Sequence, residues 1–139
     1  MGNLSLHEII TSPLKRIALD DGDVLHALRN NDLGYENFGE AYFSFIKQNK
    51  VKGWKCHTKM TMNLIVPVGD VKFVFYYDNE FKDIEIGENN YCRITVPPNI
   101  WFGFKGIGKN NLVLNIANLR HDPEEVQRKK ITEINFNWD

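Results

Sequence analysis

From residue 41 onward, short runs of β-branched and aromatic residues are cut by turn-forming residues about every 8–12 positions. Residues 41–46, 52–58, 61–67, 71–77, 91–96, 100–104 and 111–118 each read as a strand. The cuts include Pro67-Val68-Gly69-Asp70, Asp78-Asn79 and Pro97-Pro98-Asn99. Runs this short cannot bury a face alone, so the rhythm predicts an all-β sandwich or barrel. Helix signals are confined to the ends. Residues 4–11 suit a short turn of helix, and Asp122-Pro123-Glu124-Glu125 offers an N-cap, a proline at the first helical position and acidic residues in the first turn. The tail sets Ile134, Phe136 and Trp138 at alternate positions, which predicts an extended segment laid against a sheet or a partner chain.

Composition narrows the function classes. With 42% hydrophobic and 12% aromatic residues the chain is neither disordered nor of low complexity, and residues 1–139 show no repeat or linker, so one domain is expected. Seventeen basic against eighteen acidic residues give no broad electrostatic reason to bind nucleic acid or a membrane. The opening stretch lacks the cationic flank and apolar core of a secretory leader. Cys56 and Cys92 form no CxxC pair, so reduced thiols in a cytoplasmic protein are expected.

The densest chemistry lies in Lys50-Val51-Lys52-Gly53-Trp54-Lys55-Cys56-His57-Thr58-Lys59. On a strand, a period of two puts Lys55, His57 and Lys59 on one face and Trp54 and Cys56 on the other. An imidazole between two ammonium groups is disfavoured in its charged form and suits a general base, with a lysine beside it for an oxyanion or phosphate. The same row also suits a polar face turned to water. Trp101 and Phe104 have the area to stack on a base or sugar, or to fill a core. Asn63 and Asn115 interrupt apolar strands, so each faces a polar cavity or bonds neighbouring backbone. Of Tyr76 and Tyr77, only one can line a cavity, and Tyr77 is the candidate.

Three segments taken together resemble a known family. Residues 51–57, Asn63-Leu64-Ile65-Val66-Pro67-Val68-Gly69-Asp70-Val71 and Val96-Pro97-Pro98-Asn99-Ile100-Trp101-Phe102-Gly103-Phe104 look like successive strands of cupins. Within that family they resemble the RmlC-like branch, the dTDP-4-dehydrorhamnose 3,5-epimerases, whose motifs run R-G-x-H-x-Q, V-x-G-x-V and P-x-G-x-x-H-G-F. The likeness spans residues 15–126. It implies a double-stranded β-helix, or jelly-roll barrel, with short terminal helices, commonly a homodimer. It implies a nucleotide-linked 4-keto-6-deoxy sugar as partner and metal-free, cofactor-free proton transfer alpha to the ketone, in surface-polysaccharide synthesis.

Carried over residue by residue, the likeness departs from the family in its acid and base groups. The family histidine falls on Lys55, its glutamine on His57, the later histidine on Phe102, and the far-side tyrosine near Leu114, where Tyr42, Tyr76 or Tyr77 could replace it only if its strand turns it inward. The positions a metal cupin uses for ligands hold Lys55, His57, Met62 and Phe102, so no metal is expected. The resulting expectation is an epimerase or isomerase with His57 as base and Lys55 on the enolate. Lys52 or Lys59 would hold the diphosphate, and Asn63, Tyr77, Trp101 and Asn115 the rest of the substrate. The alternatives are the same barrel as a non-catalytic nucleotide-sugar binder, or as an assembly subunit.

Overall fold

A computed structural model describes residues 4–139, so the first three residues of the stretch read for a leader lie outside it. Eight longer strands carry the architecture: β4 (Glu40–Lys47), β5 (Val51–His57), β6 (Met62–Val68), β7 (Asp70–Tyr77), β8 (Glu80–Gly87), β9 (Cys92–Val96), β10 (Trp101–Gly106) and β11 (Asn110–Ala117). Short strands complete it: β1 (Ile10–Pro13), β2 (Arg16–Ile17), β3 (Val24–Leu25) and β12 (Val126–Arg128). One five-stranded sheet runs β1-β9-β6-β11-β4, the other β12-β5-β10-β7-β8, and β2 pairs with β3. All these named pairings are antiparallel, and the two five-stranded sheets form the all-β sandwich that the strand rhythm predicts, arranged as the jelly roll that the family resemblance implies.

The core fills the space between the sheets. Leu64 and Val66 of β6, Ile94 of β9 and Val113 of β11 meet Phe73 and Phe75 of β7 and Phe102 of β10. A second cluster lies on the outer face of the β5-β10-β7 sheet, where Trp54 and Val74 are covered by Ile134, Phe136 and Trp138. The tail is thus laid on a sheet of its own chain. Its alternating apolar residues cover Trp54, whose indole N–H donates to the Ile131 carbonyl at 3.3 Å.

Two parts of the sequence reading change. The Asp122 segment forms no helix. It keeps the capping bonds as a turn, with Asp122 Oδ1 accepting from the Glu124 amide at 3.0 Å. The chain then leaves to pair with β5, Val126 opposite His57 and Arg128 opposite Lys55. Tertiary pairing therefore overrides local helix propensity. At the other end only a single 3-10 turn, Leu6–Glu8, precedes β1, and a second, Ile131–Glu133, follows β12. Strand β8 was not anticipated. It returns from β7 through Asp78 and Asn79 at φ 50° and 61°, a two-residue hairpin turn that Asp and Asn tolerate. Its Lys82, Asp83 and Glu85 mask the strand signal, and charge of this kind is what an edge strand needs.

Candidate active site

Strand β5 carries one residue too many for its partner. Lys55 sits opposite Phe102 and Lys52 opposite Phe104, so three steps along β5 match two along β10. A strict period of two would send Lys52 and Lys55 to opposite faces; the bulge turns both toward the space between the sheets. Small residues permit it, because a Cβ on Gly53 would lie 3.0 Å from the Gly103 Cα. On the other flank of β5, register places Arg128 directly across from Lys55.

These side chains line a cavity of about 430 Å³ between the sheets. Lys52, Lys55 and Arg128 form one wall, and Tyr42 and Ser44 of β4 with Asn115 of β11 form the facing one. Met62, Leu64, Phe102, Phe104 and Val113 supply apolar surface between them. Lys129 also borders the cavity, but its ammonium lies 4.9 Å over the Trp101 ring, and its backbone exchanges two 3.0 Å hydrogen bonds with Trp54. Among the described residues, no carboxylate, imidazole or thiol lines the cavity. Such a donor set does not fit a divalent cation, and among the described residues no three His, Cys, Asp or Glu side chains cluster elsewhere for one.

Like charges facing one another across strands repel, so this wall suits an anion held between the cations. Lys55 feels the crowding. Burial first, then the charges of Arg128 and Lys52, hold its pKa below the ordinary lysine value. Lys52 donates to the Phe45 carbonyl at 2.6 Å, which steers its side chain along the β4 edge. On the facing wall, Asn115 Nδ2 donates to the Tyr42 hydroxyl oxygen at 3.1 Å. The phenol is thereby an acceptor from protein, and its own proton remains available to a ligand.

Of the residues singled out from sequence, Lys52, Lys55 and Asn115 line this cavity; His57, Lys59, Asn63, Tyr77 and Trp101 do not. His57 occupies the next inward position after Lys55, but its ring is only 7% exposed. It stacks on Phe102 with centroids 6.0 Å apart, and its Nδ1 is hydrogen-bonded to Glu125. Lys59 lies beyond the end of β5, where its amide donates to Glu125 Oε2 at 3.1 Å. Asn63 faces the opposite side of its sheet and ties Arg93, Thr95 and the Gly34 carbonyl together. Tyr77 closes β7 and packs on the core, and Trp101 packs on the outer face under the tail. Cys56 also faces outward, and burial, with the Glu125 charge near it, pushes its thiol up to about 11.

Tyr42 entered the sequence reading only as one of three stand-ins for the far-side tyrosine, and Ser44 and Arg128 did not enter it. The signal for the first two was present. In residues 41–46 the polar pair Tyr42 and Ser44 faces inward while Phe43 and Phe45 face out, the reverse of a solvated strand. That inversion marks a polar interior. Arg128 was hidden by the helical reading of the residues before it.

Comparison with known proteins gives the site a setting. No protein-family model matches the chain. A dTDP sugar isomerase from Desulfovibrio desulfuricans G20 is 32% identical, with 94% of this chain and 90% of that one covered and a TM-score of 0.89. A probable low-salt glycan biosynthesis epimerase, Agl13, of Haloferax volcanii is 26% identical over 91% of this chain and 88% of its own length. The dTDP-4-dehydrorhamnose 3,5-epimerase of Sulfolobus tokodaii has the same fold at 19% identity, covering 97% of this chain and 84% of that one with a TM-score of 0.80.

Proposed function

The chain belongs to the RmlC-like cupin family of sugar-nucleotide epimerases and isomerases, and from that premise we propose a specific mechanism for this member. Its substrate is a dTDP-linked 4-keto-6-deoxyhexose, and its reaction is proton transfer alpha to the ketone, in surface-polysaccharide synthesis. The observation that carries this reading is the carboxylate-free wall of Lys52, Lys55 and Arg128 facing Tyr42 across one cavity. Two cations, Lys52 and Arg128, suit a diphosphate, and Lys55, held below its ordinary pKa, suits a base whose ammonium form then faces the developing enolate.

In the forward step, the neutral Lys55 amine takes the proton from the carbon beside the ketone and becomes an ammonium. The C–H electron pair forms the new C=C bond, and the carbonyl pair moves onto oxygen. The enolate charge is met by the Tyr42 O–H and the neighbouring cations. Return of a proton to the opposite face, from Tyr42, inverts the carbon. Return from Lys55 to the adjoining carbon, once the hydroxyl proton has passed to the enolate oxygen, moves the ketone instead. The base role thus shifts from His57 to Lys55, because the imidazole is held by Glu125 outside the cavity lining. His57 positions the turn into β12, which delivers Arg128.

The wild-type protein is expected to convert dTDP-4-keto-6-deoxyglucose to an epimer or a keto isomer; recovery of unchanged sugar would overturn the reading. Tyr42→Phe separates the two outcomes. Inversion is expected to fall about 10²-fold or more, and proton loss at the carbon, which loses one enolate donor but keeps its base and the cations, by less. Equal loss of both would place Tyr42 in the first step alone.

The protein is further proposed to be a cytoplasmic homodimer, acting as one domain. What supports the dimer is the edge strand β4, whose Phe43 and Phe45 are 62% and 74% exposed. Bare aromatic surface on an unpaired sheet edge favours pairing with a second copy. A dimer at micromolar concentration by sedimentation, becoming monomeric in Phe45→Lys, is the expected result; a monomeric wild type would contradict it. No helix in the described residues is long and apolar enough to cross a membrane.

A further inference from the structure

Among the described residues, one buried acceptor in the cavity wall has no hydrogen-bond partner: Asn115 Oδ1. Asn115 is only 2% exposed, and a buried amide oxygen left unpaired is costly. No hydrogen bond among the described residues uses this oxygen. The flanking Val113 meets the same cavity with hydrocarbon, and a leucine at 115 would leave no orphaned atom. The other amide atom does have a task, since Nδ2 donates to the Tyr42 hydroxyl oxygen at 3.1 Å. Side by side, the wall therefore presents a phenolic O–H that can donate and an amide oxygen that can accept.

We propose that Asn115 is a specificity-determining residue that accepts a hydrogen bond from the sugar hydroxyl adjacent to the ketone. This rests on the nucleotide-sugar reading above. A ketone can only accept, and a hydroxyl beside it can donate. An α-hydroxyketone thus offers the complement of the Tyr42–Asn115 pair: its carbonyl oxygen takes the phenol proton, and its hydroxyl gives a proton to Oδ1. In a 4-keto-6-deoxyhexose ring the ketone has one hydroxyl-bearing neighbour, carbon 3, because carbon 5 carries the methyl group and the ring oxygen. The cations on the facing wall leave the diphosphate to Lys52 and Arg128, which places the neutral sugar ring against β4 and β11. Sites built around a buried polar group discriminate strongly, because a ligand lacking its partner leaves that group unpaired. The enzyme would accordingly reject 3-deoxy sugars. Turned over, the amide would spend the Tyr42 proton on Oδ1 and offer an N–H to the ligand, so a preference for the hydroxyl-bearing ligand also fixes the amide's orientation.

The test is a cycle of one protein change against one ligand change, read by calorimetry with sugars that cannot turn over. Binding of dTDP, dTDP-6-deoxyglucose and its 3-deoxy analogue is measured for wild type and Asn115→Leu. Wild type is expected to prefer the 3-hydroxy ligand about tenfold or more. The variant is expected to bind both sugars alike and dTDP itself as wild type does. Asn115→Ala, smaller than the residue replaced, serves the same comparison if leucine does not fit. A preference kept in the variants would remove Asn115 from recognition. Loss of dTDP affinity in the variants would assign Oδ1 to the base rather than the sugar and overturn the proposal. Wild type that binds the sugars but ignores the 3-hydroxyl would also overturn it, while leaving the proton-transfer reading to its own test. Wild type that binds none of the three compounds would remove the nucleotide-sugar reading and this assignment together.

Discussion

Replacing Lys55 by methionine is expected to lower turnover of the keto sugar by about 10²–10⁴-fold, the range for loss of a positioned general base. Stability should not suffer. The ammonium is held in its cavity wall against its own burial and against the Arg128 and Lys52 charges, so removing it relieves repulsion. Melting at an unchanged or higher temperature, together with lost turnover, therefore identifies a chemical role. The pH dependence gives an independent handle. Only the neutral amine can take a proton, so kcat/KM should rise with pH as Lys55 deprotonates, at a pH below the ordinary lysine range. Arg128 is the largest charge contribution to that depression after burial. Arg128→Gln should consequently move the rising limb to higher pH. A limb that stays in place in Arg128→Gln would mean that another group titrates.

The second large effect concerns stability. Glu125→Ala is expected to cost about 3–5 kcal/mol, as removal of one partner from a buried charge-bearing network does. For a chain of this size that is about 10–17 °C in melting temperature. The carboxylate is 2% exposed and answers three donors at once: the His57 ring and the Lys59 and Met60 amides, the last two at 3.1 Å. Removing it strands all three in the interior and frees the turn that leads into β12. Burial pushes the Glu125 carboxyl up, but the hydrogen bonds from His57 and the two amides outweigh it and hold its pKa below the ordinary value. Folding therefore disfavours the protonated form. The contribution is fully present above the unfolded value of about 4.3 and is lost as pH falls through the lower folded one. Acid melting curves should show wild type losing stability below about pH 4.3 and Glu125→Ala losing less there. Parallel curves would mean that Glu125 does not titrate as assigned.

The two effects separate neighbours in sequence. Lys55 and His57 share a face of β5, and alternation alone treats them alike. Their fates differ because of groups far along the chain: Phe102 lies across β10, and Glu125 arrives from the turn before β12. Nothing local in residues 50–59 announces that a carboxylate 68 positions away claims the imidazole. The bulge is equally non-local in effect. Gly53 was visible, but the extra residue that brings Lys52 beside Lys55 shows only against the β10 register. By contrast, the seven longer strands from 41 to 118 that were read from residue type and turn chemistry stand within a residue or two of where they were placed. Strand existence depends on local pattern; which side chains meet depends on pairing. Asn115 illustrates the middle ground. Its interruption of an apolar strand marked it as facing a cavity or a neighbour, and the structure gives it both, one amide atom to Tyr42 and one to the cavity.

The most direct measurement is solvent deuterium incorporation followed by proton NMR, with wild type and Lys55→Met run side by side on dTDP-4-keto-6-deoxyglucose in D₂O. Lys55 as the proton carrier predicts deuterium at a carbon adjoining the ketone with wild type and essentially none with the variant. Incorporation at the same rate in both proteins, or in neither, would contradict it.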